Sequence, residues 1–141
     1  MVARLNSSIQ CFDLKEIFSD GGSVLHGIKK GDEGYIEFGE MYFSNIFEGS
    51  IKAWKLHKKM HMNLTVPFGD VRFVFLNEDG SLHSDITIGR ANYKRIYVPP
   101  GYWFGFQGIG KGNNLVCNLS NIHHDPSESL RQEISFFNFD W

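Results

Sequence analysis

The sequence predicts an all-β single domain, on three observations. Of 141 residues, 13 are Phe and 15 are Gly, and aromatic residues make up 15% of the chain, a composition suited to twisted strands joined by tight turns. Short β-branched or aromatic runs bounded by Gly, Pro, Asn or Asp recur throughout. No helical period of ten residues or more appears before about residue 125, so the crossover helices of a parallel sheet are missing.

Taken in order, the runs are SIQCFDL, GYIEF, GEMYFSNIF, GSIKAWKLH, HMNLTVPFG, DVRFVFL, SDITIG, YKRIYVPPG, YWFGF and NLVCNLS. Turn chemistry separates them at Gly31 to Gly34, Glu48-Gly49, Phe68-Gly69-Asp70, Asn77 to Gly80 and Gly108 to Asn114. The strands therefore connect as hairpins. Asp125-Pro126-Ser127-Glu128 reads as the start of one short C-terminal helix, with Asp as N-cap, Pro at N1 and Glu at N3. The closing ISFFNFDW is too apolar for a free tail and is expected to pack on the domain or on a partner.

Length and charge narrow the function. The 141 residues fit one domain over 1–141, and the formal net charge of −2 supplies no cationic field for nucleic acid. No run of 18 apolar residues exists, so no membrane-spanning helix is expected. The N-terminal MVARLNSSIQ has no apolar signal core, and Cys11 and Cys117 are the only cysteines. A reduced, cytoplasmic chain is expected, in which the sequons at Asn6, Asn63 and Asn118 carry no meaning.

The densest chemistry lies between Lys52 and His61, which hold four lysines and two histidines within ten residues. Strand alternation puts Lys55 and His57 on one face with Ile51 and Ala53, and Lys52, Trp54 and Leu56 on the other. A lysine beside a histidine on an inward face calls for an anionic ligand, which points to an anion-binding, general-base pocket. An exposed edge strand studded with lysine against aggregation accounts for the same residues, and Trp54 suits a plain core position. The rings between Tyr97 and Phe106 suit a barrel interior, around a rigid Pro99-Pro100-Gly101 turn.

Other motifs dissolve on inspection. Gly105 to Gly112 approaches a phosphate-binding loop, but Gly112 replaces the Ser/Thr and strand rather than helix follows. His123-His124-Asp125 are adjacent on an extended chain and point apart, so a polar loop accounts for them better than a metal. Cys117 reads as a small buried residue.

The stretches GEMYFSNIFEGSIKAWKLHKK, FGDVRFVFLNEDGS, YKRIYVPPGYWFGF and NLSNIHHDPSES, over about residues 39–129, resemble the dTDP-4-dehydrorhamnose 3,5-epimerase-like sugar cupins and are similar to the sugar-nucleotide 3,4-ketoisomerase cupins. The resemblance implies a cupin-type double-stranded β-helix, that is, a jelly-roll barrel, and a homodimer built on exchanged edge strands. It implies an epimerase or isomerase acting on a nucleoside-diphosphate-linked 4-keto-6-deoxy sugar in deoxysugar or surface-glycan biosynthesis. His57, after Leu56, stands where the family has its proton-abstracting base. Pro99-Pro100-Gly101 matches its pocket-mouth turn.

Departures from the family are equally specific. Trp54 stands where the family has Arg, and Met62 or Asn63 where it has Lys, leaving Lys52, Lys55, Lys58 and Lys59 to supply positive charge. Asn118 aligns with the family's tyrosine acid, which leaves the second proton donor missing, and Asp140 is the candidate orienter of His57. Tyr42, Tyr102 and Trp103 are candidates to stack on sugar or base. Lys55 takes the first place of the ketoisomerases' His-x-His pair, and Phe104 takes a metal-binding histidine's place, so the expectation is a barrel without metal or cofactor. A non-catalytic cupin binding a sugar nucleotide or a protein is the second reading, and Asn118 and Trp54 are its grounds. An anion-binding structural domain is the third.

Overall fold

A computed structural model describes residues 8–141. The expectation of no signal core in the N-terminal stretch rests largely on residues 1–7, which with the Asn6 sequon lie outside the described residues. The strands are β1 Gln10–Asp13, β2 Glu16–Ser19, β3 Gly22–Leu25, β4 Glu40–Phe47, β5 Ile51–His57, β6 Met62–Phe68, β7 Asp70–Leu76, β8 Leu82–Gly89, β9 Lys94–Val98, β10 Trp103–Gly108, β11 Asn113–Ser120 and β12 Ser129–Arg131. Two five-stranded antiparallel sheets, ordered β1-β9-β6-β11-β4 and β12-β5-β10-β7-β8, form the jelly roll, and β2-β3 is a separate hairpin. No helix among the described residues is long and apolar enough to cross a membrane.

Alternation decides what each sheet buries. Met62, Leu64 and Val66 of β6, Val71, Phe73 and Phe75 of β7, and Ile96 and Val98 of β9 meet between the sheets in the main core. A second cluster lies on the other side of the β5 sheet. There Trp54, Leu56, Val74, Leu76 and Trp103 are covered by Phe137, Phe139 and Trp141. The C-terminal aromatic run thus packs on its own domain. Trp54 is 2% exposed and its indole N–H donates to the Ile134 carbonyl at 3.1 Å. Its backbone also pairs with Gln132 in both directions, at 2.9 and 3.1 Å.

Two expectations from the sequence are corrected, and one hairpin is added. Tyr35 to Phe38 form no strand: the Gly34 backbone packs on the Tyr97 ring, while the carbonyls of Gly34 and Glu33 accept from Asn63 and Arg95 rather than from a sheet. The C-terminal helix is a single 3₁₀ turn, Pro126–Glu128, capped as expected by Asp125, which accepts from the Ser127 N–H at 3.0 Å. It stops after one turn because Ser129 to Arg131 pair with β5. The β2-β3 hairpin was not anticipated, although Asp20-Gly21, with Gly21 at φ +85°, is a strong hairpin dipeptide.

Candidate active site

His57 ends β5 with its ring between the two sheets, 4% exposed, and its position is fixed from three sides. Its carbonyl accepts from the Gly101 N–H at 2.9 Å. The Pro99-Pro100-Gly101 turn can make that bond because Gly101 sits at φ +100°, where a side chain would be strained. Phe104 stacks on the imidazole at 5.8 Å between centroids and 20° between planes. Nδ1 is hydrogen-bonded to Oε1 of Glu128, itself 3% exposed.

Glu128 reaches the ring because the 3₁₀ turn brings it under the end of β5. Its Oε2 accepts the backbone N–H groups of Lys59 at 3.0 Å and Met60 at 3.2 Å. Burial alone would push this acid up, but the bonds from His57 and the two amides outweigh it and hold the carboxyl below its ordinary value. Glu128 is therefore a carboxylate, Nδ1 carries the proton, and Nε2 presents its lone pair. Burial lowers the His57 pKa below the usual 6.5, against the raising effect of Glu128, so the neutral, basic ring is favoured.

Nε2 is buried without a hydrogen-bond partner among the described residues, and His57 lines a cavity of about 700 Å³. The walls are largely apolar, including Met62, Leu64, Phe73, Phe106 and Val116, while Lys52, Lys55, Arg131, Gln132 and Glu133 also line it. Opposite β5 stand Tyr42 and Asn118, paired across β4 and β11. Asn118 is 3% exposed; its Nδ2 donates to the Tyr42 hydroxyl at 2.8 Å, and its Oδ1 has no partner. The Tyr42 hydroxyl is directed at the Met60 sulfur, a weak acceptor, at 3.8 Å. Burial raises the Tyr42 pKa, with Asn118 pulling the other way, so the phenol stays protonated. A neutral imidazole, a phenol and an amide oxygen thus share one largely apolar cavity, an arrangement suited to moving protons on a polar ligand.

The structure brings His57, Lys55, Asn118, Tyr42, Lys52 and Trp54 to this cavity. Lys52 is at the exposed rim and donates to the Asn45 carbonyl, and Trp54 belongs mainly to the aromatic cluster behind β5. The remaining candidates lie elsewhere. Asp140 is exposed and near Arg72, so it does not orient His57; Glu128 does. Lys58 and Lys59 have exposed side chains in the turn after β5. Asn63 faces the outer side of its sheet, accepting from Arg95 at 2.5 Å, because the residue after an inward Met62 must point out. Trp103 is buried behind β10, and Tyr102 stands edge-on to His83. Cys117 is half-buried, and burial raises its pKa. His123, His124 and Asp125 form an exposed loop. Among the described residues no three His, Cys, Asp or Glu side chains gather as a metal site.

Glu128 was missed because it reads as an ordinary N3 helix residue; its place at the end of the NLSNIHHDPSES stretch is the signal that could have exposed it. The second face of the site was underestimated as well. Asn118 is not a phenol, but its cross-strand neighbour Tyr42 delivers one to the same spot.

No family model and no curated protein matches the chain. Among solved structures, a dTDP sugar isomerase from Desulfovibrio desulfuricans superposes with a TM-score of 0.88 at 33% identity, over 94% of this chain and 90% of that one. QdtA, a sugar 3,4-ketoisomerase from Thermoanaerobacterium thermosaccharolyticum in complex with TDP, matches at TM-score 0.74 and 17% identity, over 88% of each chain. The 3,5-epimerase RmlC from Legionella pneumophila, in complex with dTDP-4-keto-L-rhamnose, matches at TM-score 0.77 and 14% identity, over 90% of this chain and 73% of that one. At these lower identities the likeness is one of fold. Identity and coverage with the first, together with the jelly roll, establish that the chain belongs to the dTDP-sugar isomerase and epimerase family of cupins.

Proposed function

We propose that this protein isomerises or epimerises a nucleoside-diphosphate-linked 4-keto-6-deoxy sugar by proton transfer between side chains. The observation that carries the reading is the buried Nε2 of His57, without a hydrogen-bond partner among the described residues, on a neutral ring that Glu128 orients and that lines the cavity. Nε2 takes a proton from the carbon next to the ketone; the C–H pair becomes a C=C bond, and the carbonyl π pair moves to oxygen. The enolate then regains a proton from the Tyr42 hydroxyl, whose phenolate is stabilised by Asn118 Nδ2 and reprotonated from solvent, while the His57 imidazolium gives the abstracted proton back to solvent. Return to the opposite face of the same carbon gives an epimer; proton transfer between the two oxygens and return to the old ketone carbon moves the carbonyl. Asn118 Oδ1 accepts a sugar hydroxyl. These side chains supply the chemistry without a cofactor, in the cytoplasm, within a deoxysugar or glycan pathway.

The relatives support this choice of substrate: one is a dTDP sugar isomerase, and others were crystallised with TDP or dTDP-4-keto-L-rhamnose. Incubation with dTDP-4-keto-6-deoxyglucose and NMR identification of the sugar tests the reading. A new 3-keto isomer or C3 or C5 epimer is expected; an unchanged sugar that nevertheless binds would favour the non-catalytic reading.

We also propose a homodimer. Phe38, Met41, Phe43 and Phe47 are at least half exposed along β4 and the segment leading into it, as are Ile17, Phe18 and Val24 of the β2-β3 hairpin. A second copy covering these faces accounts for that much exposed apolar surface.

A further inference from the structure

Met60 touches both halves of the site. It stands in the turn after His57, 1% exposed, and its backbone N–H donates at 3.2 Å to Glu128 Oε2, on the carboxylate that orients the base. Its sulfur accepts from the other half: the Tyr42 hydroxyl lies 3.8 Å away and Asn118 Nδ2 3.9 Å away. Asn118 and Tyr42 are cross-strand partners, with Nδ2 donating to the phenol oxygen at 2.8 Å. Oδ1 of the same amide is buried without a hydrogen-bond partner among the described residues.

An amide can bond a phenol in two ways, with its N–H donating or its oxygen accepting, and the surrounding network decides between them. A phenol is the stronger donor and an amide oxygen the stronger acceptor, so the pair by itself favours Tyr42 donating to Oδ1. That arrangement would commit the phenol proton, occupy the amide oxygen and leave a phenolate without a donor. A thioether sulfur accepts but does not donate. Set against the amide and the hydroxyl together, it attracts an N–H and repels a carbonyl oxygen, which tips Asn118 into the observed orientation. The phenol then keeps its proton on a weak acceptor, from which release costs little. The bond from Asn118 also pulls the Tyr42 pKa down against burial, the direction that favours giving up a proton. We propose that Met60 is a positioning residue: its sulfur holds the Asn118 amide so that Tyr42 can release its proton to the substrate. This rests on the proton-transfer reading above and adds a residue to it.

The test compares the parent with Met60→Leu, a swap that nearly conserves volume and leaves the backbone bond to Glu128 in place. In the ligand-free full chain, the Asn118 side-chain amide is followed by heteronuclear NMR, its signals identified by their absence in Asn118→Ala. They should move toward the positions of a free amide in Met60→Leu, while the protein melts close to the parent temperature. With dTDP-4-keto-6-deoxyglucose in D2O, product formation should fall about tenfold, whereas deuterium should still enter the sugar at close to the parent's rate, because His57 is undisturbed. In an Asn118→Ala background Met60→Leu should cost nothing further, since the sulfur acts through the amide. Unmoved amide signals or an unchanged product rate overturn the proposal. So does a fall in product that deuterium entry follows in step, or an equal fall in the Asn118→Ala background, either of which makes Met60 a packing residue. A parent that binds the sugar nucleotide but neither exchanges nor converts it removes the proton-transfer reading and the release step with it, while shifted amide signals keep the orienting role of Met60.

Discussion

His57 and Glu128, 71 positions apart in the chain, meet in a buried hydrogen bond between Nδ1 and Oε1, while Oε2 of the same carboxylate is tied to the backbone of Lys59 and Met60. The acid is thus anchored to the turn that follows its own histidine, which fixes both the tautomer and the direction of Nε2. Replacing Glu128 by Gln keeps the shape but removes the charge and the tautomer preference. Turnover should fall about a hundredfold to ten-thousandfold, with the fold retained by circular dichroism. Turnover within a few-fold of the parent would show that Glu128 is not needed to orient the base.

The histidines should also make stability depend on pH. Burial holds both His57 and His61 below 6.5 in the folded state. The unfolded chain therefore binds more protons than the folded one just below that value, so stability present at neutral pH is lost as pH falls through 6.5 toward the folded values. Melting temperatures recorded from about pH 7.5 down to about pH 5 should decline, and His57→Asn should flatten the decline. An identical slope in His57→Asn would contradict the assigned state of the ring. The acidic limb of activity should likewise lie below 6.5.

Tyr42→Phe separates the two proton transfers. His57 remains able to remove the substrate proton, so solvent deuterium should still enter the sugar, whereas net formation of the new isomer should fall about a hundredfold. Loss of neither, or product formation at the parent's rate, would show that the phenol donates no proton.

The aromatic strap is a stability element. Trp54 is enclosed by Phe137, Phe139 and Trp141, so Trp54→Ala should cost about 3–5 kcal/mol, read as a lower denaturation midpoint in urea. A loss below about 1 kcal/mol would mean that the strap does not enclose Trp54.

Much of this was legible in the residues. Nine of the ten expected runs are strands, because β-branched and aromatic runs between turn residues leave little else to form. GYIEF failed because a carbonyl can be satisfied by a buried side chain as well as by a neighbouring strand, and Asn63 and Arg95 do so here. His57 was legible from the Leu56-His57 resemblance. Glu128 was not, since an acid after Asp-Pro-Ser is indistinguishable from a helix-capping residue until the register of β12 against β5 is known. Tyr42 was legible as a site residue but not as a phenol beside Asn118, because cross-strand neighbours 76 positions apart are set by sheet topology rather than by local pattern.

The most direct test of the account is proton NMR of dTDP-4-keto-6-deoxyglucose in D2O with the purified protein, following the protons on the carbons that flank the ketone. The parent should erase at least one of these signals by exchange, and His57→Asn should leave them all in place while melting close to the parent temperature. Exchange at the parent's rate in His57→Asn, or no exchange by a parent that binds the sugar nucleotide, would contradict the claim that His57 is the base.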